Sequence, residues 1–134
     1  MARRFGQAWG TAVVATNDTC CTVVPYFKVH PGKLAEFKSV CEQLVAKASL
    51  EPKCLYYGFT FNGDEAHCRE GYRDAEGVLF HFENVSDLRD DMRSLADTTR
   101  FEIHGPEPEL AKLQTPLAGV SVQFFTLDCG FRRV

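Results

Sequence analysis

Glu70 is a titratable residue at a position that the sequence pattern assigns to a buried face. It lies in the segment Ala66–Tyr72, where alternate residues are apolar and Glu70 falls in the apolar register of a strand. A carboxylate without a partner is costly to bury, so Glu70 is expected either to bind a group of another subunit or helix, or to lie in a pocket with a raised pKa. Arg69 and Arg73 belong to the opposite face of that strand, so the partner has to come from elsewhere.

The opposite face of the same strand also carries groups that can bind ligands or transfer protons. His67 and Arg69 share it with Tyr56 and Thr60 of the preceding strand. These residues are expected to line either a seam between two subunits or a second cavity. The sequence contains no Gly-rich phosphate loop and no Gly-x-Ser-x-Gly elbow.

The composition limits the classes of partner. The chain has 134 residues and a mass of 15.0 kDa, which fits one compact domain. Its formal net charge of −3 argues against nucleic-acid binding and against membrane-surface binding, because both require a basic footprint. The chain is rich in aromatic residues, with 11 Phe, 4 Tyr and 1 Trp, and this surplus needs an explanation.

Six cysteines are present, but no Cys-x-x-Cys pair occurs and the spacings match no common zinc motif. Cys41, Cys54 and Cys68 fall on or beside predicted apolar faces, where a free thiol behaves as a small hydrophobic group. We therefore expect reduced cysteines and a cytoplasmic protein. Residues 1–21 are expected to form a flexible extension, with an organelle transit peptide as the alternative.

Periodicity along the rest of the chain predicts alternating strands and helices. Thr22–His30 is a strand pattern that ends in a Pro-Gly turn, and an amphipathic helix begins at Lys33 and stops at Pro52. Asn62-Gly63 predicts a hairpin, whose register places Leu55, Tyr57, Phe59 and Phe61 on one face with Ala66, Cys68, Glu70 and Tyr72. The remaining predicted elements are strands over Cys54–Phe61, Ala66–Tyr72, Thr99–Gly105 and Val120–Phe131, helical segments after Asp74 and from Ser86, and a short helix over Glu107–Gln114.

The order β-α-β-β-α-β, followed by a short helix and an extra strand, predicts an α+β fold. This is the ferredoxin-like split βαβ arrangement, a four-stranded antiparallel sheet with both main helices on one face. Such a sheet normally exposes polar residues on its open face, whereas Val23–Val29, Leu55–Phe61 and Val120–Leu127 are largely apolar or aromatic on both faces. We therefore expect a homodimer in which two sheets pack together and close a barrel.

Three short motifs lie at the ends of the predicted strands. Phe27-Lys28-Val29-His30-Pro31-Gly32-Lys33 ends the first strand, Leu50-Glu51-Pro52-Lys53-Cys54-Leu55 leads into the second, and Glu70-Gly71-Tyr72-Arg73-Asp74 ends the third. They resemble motifs of the antibiotic biosynthesis monooxygenase superfamily of dimeric α/β-barrel proteins, in which a tryptophan stands at the position of Tyr72. The C-terminal segment resembles a branch with an added helix and strand, so the resemblance covers one domain over residues 22–134.

The resemblance implies a pocket between the sheet and the helices, lined by Tyr72 and His81 as the catalytic residues. His81 would act as a general base or as the axial ligand of a haem, and its neighbours also allow a structural histidine with one hydrogen bond. Phe27, Tyr57 and Glu70 are expected to bind substrate. The sequence thus predicts a homodimeric oxidoreductase that binds a small hydrophobic or aromatic compound and oxidises it without cofactor or metal. The alternative is a non-catalytic dimeric ligand-binding or stress-response domain.

Overall fold

The computed structural model describes residues 12–14 and 17–133. Within them a short 3-10 turn, Ser86–Leu88, separates the second helix from the third. The strands are β1 (Ala12–Val14), β2 (Cys21–Val29), β3 (Cys54–Asn62), β4 (Glu65–Tyr72), β5 (Ala96–Gly105), β6 (Gln123–Thr126) and β7 (Phe131–Arg133), and the helices are α1 (Leu34–Ala48), α2 (Ala75–Asn84), α3 (Arg89–Leu95) and α4 (Glu107–Gln114).

A five-stranded sheet forms the base of the fold, in the order β3-β4-β2-β5-β6. The four strands β3, β4, β2 and β5 pair antiparallel, and with α1 and α2 they form the ferredoxin-like unit that the sequence predicts. Strand β6 pairs parallel with β5 and is the predicted extra strand. β1 and β7 form a separate two-stranded ribbon.

The hairpin of β3 and β4 determines which side chains meet on the inner face. Its tight turn contains Gly63 with φ +61°, a conformation that glycine adopts without a steric penalty. Tyr57 lies opposite Glu70, and Phe59 lies opposite Cys68. The predicted inner register is therefore confirmed for this part of the hairpin.

The start of β3 departs from that register. A bulge between Cys54 and Tyr56 adds one residue to the strand, so that Cys54 is the residue opposite Tyr72. The prediction that Leu55 shares the inner face is wrong, because a bulge moves the following or preceding side chains to the other face. Leu55 lines a cavity that also contains Tyr56 and residues of β7.

Helices α1 and α2 pack against the inner face of the sheet. The buried residues of α1 recur at three- and four-residue spacing and join an apolar cluster with Val29 and Ala66 of the sheet. A second cluster lies beneath α2 and α4 and contains Tyr72, Val78 and Leu113. None of the helices within the described residues combines the length and apolar character needed to cross a lipid bilayer.

Three side chains fix the start of α2. Asp74 accepts a 2.9 Å hydrogen bond from the backbone N–H of Gly77, and the Lys53 ammonium donates to the other oxygen of Asp74 at 2.7 Å. Glu109 of α4 accepts a 3.0 Å hydrogen bond from the backbone N–H of Ala75. These contacts satisfy amides that the first turn of a helix leaves without intrahelical partners.

The C-terminal part of the chain differs from the prediction. A single strand over Val120–Phe131 is wrong, because β6 ends at Thr126 and β7 begins at Phe131. The segment between them contains Asp128 and Gly130, residue types that favour turns. β7 consequently leaves the sheet and pairs with β1.

Two further boundaries shift. β5 begins at Ala96 rather than Thr99, because α3 ends at Leu95 and the strand follows with no loop between them. Of the predicted extension over residues 1–21, residues 1–11 and 15–16 lie outside the described residues. Asp18 is buried and accepts a 2.8 Å hydrogen bond from Arg132, which attaches this segment to the C-terminal ribbon.

Asp74→Ala is expected to lower the free energy of unfolding by about 1 kcal/mol, since it removes the N-cap acceptor of α2. Urea unfolding at one fixed protein concentration measures this loss. Asp74→Asn keeps a capping oxygen and is expected to lose much less. Equal losses in the two variants would contradict a capping role and would attribute the effect to the Lys53 ion pair.

Candidate functional site

A cavity of about 780 Å³ lies between the inner face of the sheet and helices α2 and α3. Its volume is well above the roughly 300 Å³ that a small-molecule site requires. The wall is largely apolar, and two titratable side chains of the interior, Glu70 and His81, reach it. The inner wall includes Val23, Phe27, Leu44, Tyr57 and Phe59.

His81 is held by a carboxylate behind it. Its Nδ1 atom lies 2.8 Å from Oε2 and 3.1 Å from Oε1 of Glu51. Since a carboxylate accepts hydrogen bonds, this contact assigns the ring proton to Nδ1 and leaves Nε2 with a free electron pair. Glu51 Oε2 also accepts a 2.9 Å hydrogen bond from the Asn84 amide, so the orientation of the carboxylate is itself fixed.

The free nitrogen of His81 faces a second carboxyl group. Oε1 of Glu70 lies 3.8 Å from Nε2 of His81, and the same oxygen accepts a 2.7 Å hydrogen bond from the Tyr72 hydroxyl. Relative exposure is 3% for His81, 4% for Glu70 and 6% for Glu51. The protein thus encloses two carboxyl groups and one imidazole at the edge of an apolar cavity.

Burial shifts the pKa of Glu70 and the pKa of His81 in the directions that favour their neutral forms. Desolvation raises the pKa of Glu70 to about 7, against smaller lowering effects of hydrogen bonds from Tyr72 and Cys68. Desolvation also lowers the pKa of His81, although the hydrogen bond to Glu51 acts in the opposite direction. Glu70 is therefore the group whose proton is exchanged most easily near neutral pH.

Aromatic rings pack around the imidazole and keep it in place. The ring of Tyr57 lies 5.1 Å from that of His81 and the ring of Tyr72 lies 5.3 Å away, measured between centroids. Burial is the main cause of the raised pKa of both tyrosines. Both phenols therefore stay protonated at neutral pH and act as hydrogen-bond donors.

The structure brings the five predicted site residues to one region, with one difference. Phe27, Tyr57, Glu70 and His81 line the cavity. Tyr72 is fully buried and lies behind Glu70, which it contacts through its hydroxyl. The sequence predicts that the partner of Glu70 lies outside β4. This prediction is wrong for the hydrogen bond, because the donor is Tyr72, which lies two residues further along the same face of β4.

Glu51 belongs to the candidate site by its contact with His81, and the sequence does not predict this. It occurs in the predicted motif between α1 and β3, but no role was assigned to it. In the sequence, Glu51 is recognisable as a carboxylate next to a proline before a strand. This pattern does not indicate that His81 is its partner. The two residues are 30 positions apart, well beyond any helical or strand periodicity.

The arrangement does not fit a haem ligated by His81. Haem iron bonds directly to a nitrogen of its axial histidine, but the carboxyl group of Glu70 lies 3.8 Å from Nε2 of His81, on the side of the ring where iron would bind. The other nitrogen is hydrogen-bonded to Glu51. Among the described residues, no group of three or more His, Cys, Asp or Glu side chains is placed to hold a metal ion.

A second cavity of about 690 Å³ lies on the other side of the sheet, near the β1–β7 ribbon. It contains His104, which bonds to the buried Glu102 at 2.8 Å and stacks on Phe125. Tyr56 lines this cavity, whereas His67 and Arg69 do not. His67 instead bonds to the Pro25 carbonyl oxygen at 2.8 Å.

Comparison with known proteins gives a family. No family model matches the chain, and no curated protein matches it. Among solved structures, MupZ from Pseudomonas fluorescens is 46% identical, with 86% of this chain and 95% of MupZ covered and a TM-score of 0.82. A Caulobacter crescentus protein assigned to the antibiotic biosynthesis monooxygenases is 26% identical, with 64% of this chain and 88% of that chain covered and a TM-score of 0.59. The chain belongs to the antibiotic biosynthesis monooxygenase-like superfamily.

A further solved structure shares the fold at lower identity. SnoaB, a cofactor-independent oxygenase from Streptomyces nogalater, is 18% identical, with 63% of this chain and 90% of SnoaB covered and a TM-score of 0.58. These matches confirm the superfamily and the ferredoxin-like α+β fold that the sequence predicts.

The raised pKa of Glu70 is expected to make the stability of this superfamily member depend on pH. Between the ordinary pKa of 4.5 and the folded value of about 7, the folded state holds a proton that the unfolded chain has released, so the free energy of unfolding falls as pH rises. Glu70→Gln cannot lose this proton. Urea unfolding should show the stability of Glu70→Gln, relative to wild type, rising by roughly 3 kcal/mol across this window.

The comparison with Glu70→Gln isolates Glu70 from its neighbour. His81 has a lowered pKa and contributes a slope of opposite sign, present in both proteins. The carboxyl carbon NMR shift of Glu70 gives its midpoint directly. A relative stability that stays constant with pH would contradict the burial of Glu70 in its protonated form.

Proposed function

We propose that this protein is a homodimeric, cofactor-independent catalyst that binds a small, mostly apolar compound in the inner cavity and oxidises it with dioxygen. The observation that carries the proposal is the buried Glu51–His81–Glu70 arrangement at the wall of an apolar cavity. Buried titratable groups with shifted proton affinities are typical of acid–base catalysis. The named activities of SnoaB and the Caulobacter protein favour oxygenation as the reaction.

Glu70 is the base in this proposal and His81 assists it. A pKa of about 7 makes Glu70 a stronger base than an ordinary carboxylate while it is still partly ionised at neutral pH. The Tyr72 hydroxyl holds Glu70 Oε1, and Glu70 keeps the proton that it collects, because its raised pKa lies above the lowered pKa of His81. Glu51 assists by accepting the hydrogen bond from Nδ1 of His81, which keeps Nε2 directed at Glu70.

The reaction fits a phenol- or anthrone-type substrate with an acidic C–H bond. Glu70 removes one proton, and the substrate carbanion transfers its electrons to dioxygen and forms a C–O bond. The resulting hydroperoxide loses water to give a carbonyl group, so that R₂CH₂ and O₂ yield R₂C=O and H₂O. The substrate is the reductant and dioxygen the oxidant, which requires no further redox group. The apolar wall excludes water from the anion.

The open face of the sheet supports the homodimer. Tyr26 is 42% exposed, Tyr56 40% and Phe125 41%, although large aromatic side chains on a sheet are normally covered. Tyr26 stacks on His67 with centroids 4.4 Å apart, and Arg69 lies over the Tyr56 ring. These contacts hold a partly apolar surface in place, which a second copy of the same sheet would cover.

Glu70→Gln is expected to lower kcat for dioxygen uptake with an anthrone-type substrate by at least about 100-fold, because it removes the base. An oxygen electrode measures the uptake, and wild-type kcat/KM should rise with pH through about 7 as Glu70 ionises. Glu102→Gln is the matched control, since Glu102 is also buried but lies outside the inner cavity. Retained uptake in Glu70→Gln would contradict its role.

Tyr72→Phe separates positioning from catalysis. It removes the hydrogen bond that lowers the pKa of Glu70, so the midpoint of the pH profile is expected to move to higher pH.

Binding of anthrones and phenols without dioxygen uptake above that of buffer would favour the non-catalytic alternative.

Static light scattering at micromolar concentration is expected to give about 30 kDa, twice the 15.0 kDa of the chain. Tyr26→Asp combined with Tyr56→Asp should shift this mass to the monomer. Dimerisation would then bury carboxylates between the two sheets without partners, which is costly. Phe80→Asp, on the exposed side of α2, serves as the control, as Phe80 is 52% exposed. A monomeric wild-type mass would overturn the dimer.

A further inference from the structure

Three arginines line the same cavity as Glu70 and His81. Arg89 and Arg93 lie one turn apart on α3, and Arg100 lies on β5. All three are exposed, whereas Glu70 and His81 are buried. The cavity therefore runs from a buried acid–base group to a cationic opening at the protein surface, which we name the arginine mouth.

In the lining of the arginine mouth the arginines outnumber the acidic residues, because neither aspartate of α3 lines the cavity. Arg89 donates to the Phe82 carbonyl oxygen at 3.0 Å, and among the described residues no carboxylate forms an ion pair with it. Arg93 contacts Asp90 at 3.5 Å, but these side chains are 70% and 95% exposed, and such contacts contribute little. Glu83 is the acidic residue that lines this part of the cavity.

Arg100 contributes less free charge, because it is hydrogen-bonded to the buried Glu102. The other polar residues that line the opening are neutral and able to donate hydrogen bonds: Ser86, Thr98, Thr99, Ser121 and Gln123. This cluster of donors stands out on a chain whose formal net charge is −3. A net negative charge repels anions from most of the protein surface. The exposed guanidinium groups of Arg89 and Arg93 attract anions to this one cavity.

Between the arginine mouth and Glu70 the cavity wall is apolar. Phe82, Leu88, Met92 and Phe101 are among its residues. A ligand that occupies the whole cavity must therefore present an apolar body along this wall. It can pair an anionic end with the two guanidinium groups of α3, which bind planar oxyanions through two parallel hydrogen bonds.

We propose that the substrate is an amphipathic acid, with an apolar body in the inner cavity and an anionic oxygen group, carboxylate or phosphate, held by Arg89 and Arg93 at the arginine mouth. This inference rests on the proposed function for the identity of the reacting end, which lies at Glu70. The anionic group stays in contact with solvent while the reacting end is enclosed. The arginines thus set which end of the molecule enters first.

Binding of three ligands with the same ten-carbon chain tests the proposal: decanoate, decyl phosphate and decanol. Isothermal titration at micromolar concentrations, with the full chain, gives their Kd values. Wild type should bind decanoate about tenfold more tightly than decanol. The preference should shrink when salt is raised from about 50 mM to about 500 mM, because the charged contact is partly exposed. Decyl phosphate distinguishes the two anionic groups: tighter binding than decanoate assigns phosphate, and weaker binding assigns carboxylate.

Arg89→Gln combined with Arg93→Gln should reduce the preference for decanoate over decanol by about fivefold and leave the Kd of decanol unchanged. Lys33→Gln combined with Lys38→Gln is the matched control, since it removes the same charge from exposed positions of the α1 region outside the cavity lining. Arg89→Lys combined with Arg93→Lys keeps the charge and should retain part of the preference. Circular dichroism checks that each variant is folded.

Equal affinity of wild type for decanoate and decanol, or no binding of either, would overturn the proposal. An unchanged preference in the Arg89 and Arg93 double variant would also overturn it. These readouts contain no turnover and are independent of dioxygen uptake. Loss of the anion preference with intact Glu70-dependent uptake would refute the arginine mouth alone, whereas an intact preference without uptake would refute the oxidation alone.

Discussion

The burial of three titratable side chains beside one apolar cavity is the constraint on which the site depends. Moving carboxyl groups and an imidazole out of water costs free energy unless each group has a partner. Glu51 and His81 supply partners to each other, Asn84 holds Glu51, and Tyr72 holds Glu70. These residues come from the loop between α1 and β3, from β4 and from α2. The hydrogen bonds are therefore all made only when this loop and these two elements hold one relative position.

Sequence periodicity predicted the elements where one face is buried along the whole segment. The apolar spacing of α1, the turn at Asn62-Gly63 and the inner register of Glu70 are examples, and the structure agrees with each. They are predictable because burial repeats with the period of the backbone. The site residues Phe27, Tyr57 and His81 were found through a family resemblance, and the structure places them on one cavity.

The remainder depends on contacts between residues far apart in the chain, which periodicity does not reveal. Glu51 belongs to a motif that the sequence shows, but its partner is 30 positions away. The bulge before Tyr56 has no mark in the sequence, so Leu55 was assigned to the wrong face. Arg89 and Arg93 stand beside Asp90 and Asp91 in a charged segment that is typical of a solvated surface. The structure nevertheless places both arginines on the cavity, together with Val120 of a distant segment.

The gradient of exposure along the inner cavity has a consequence for molecular recognition. Its buried end is bounded by packed rings around His81, and packed interiors do not adjust easily to added volume. Its other end opens to solvent. In the proposed reaction a methyl branch next to the reacting atom is therefore discriminated more strongly than a branch near the solvent end.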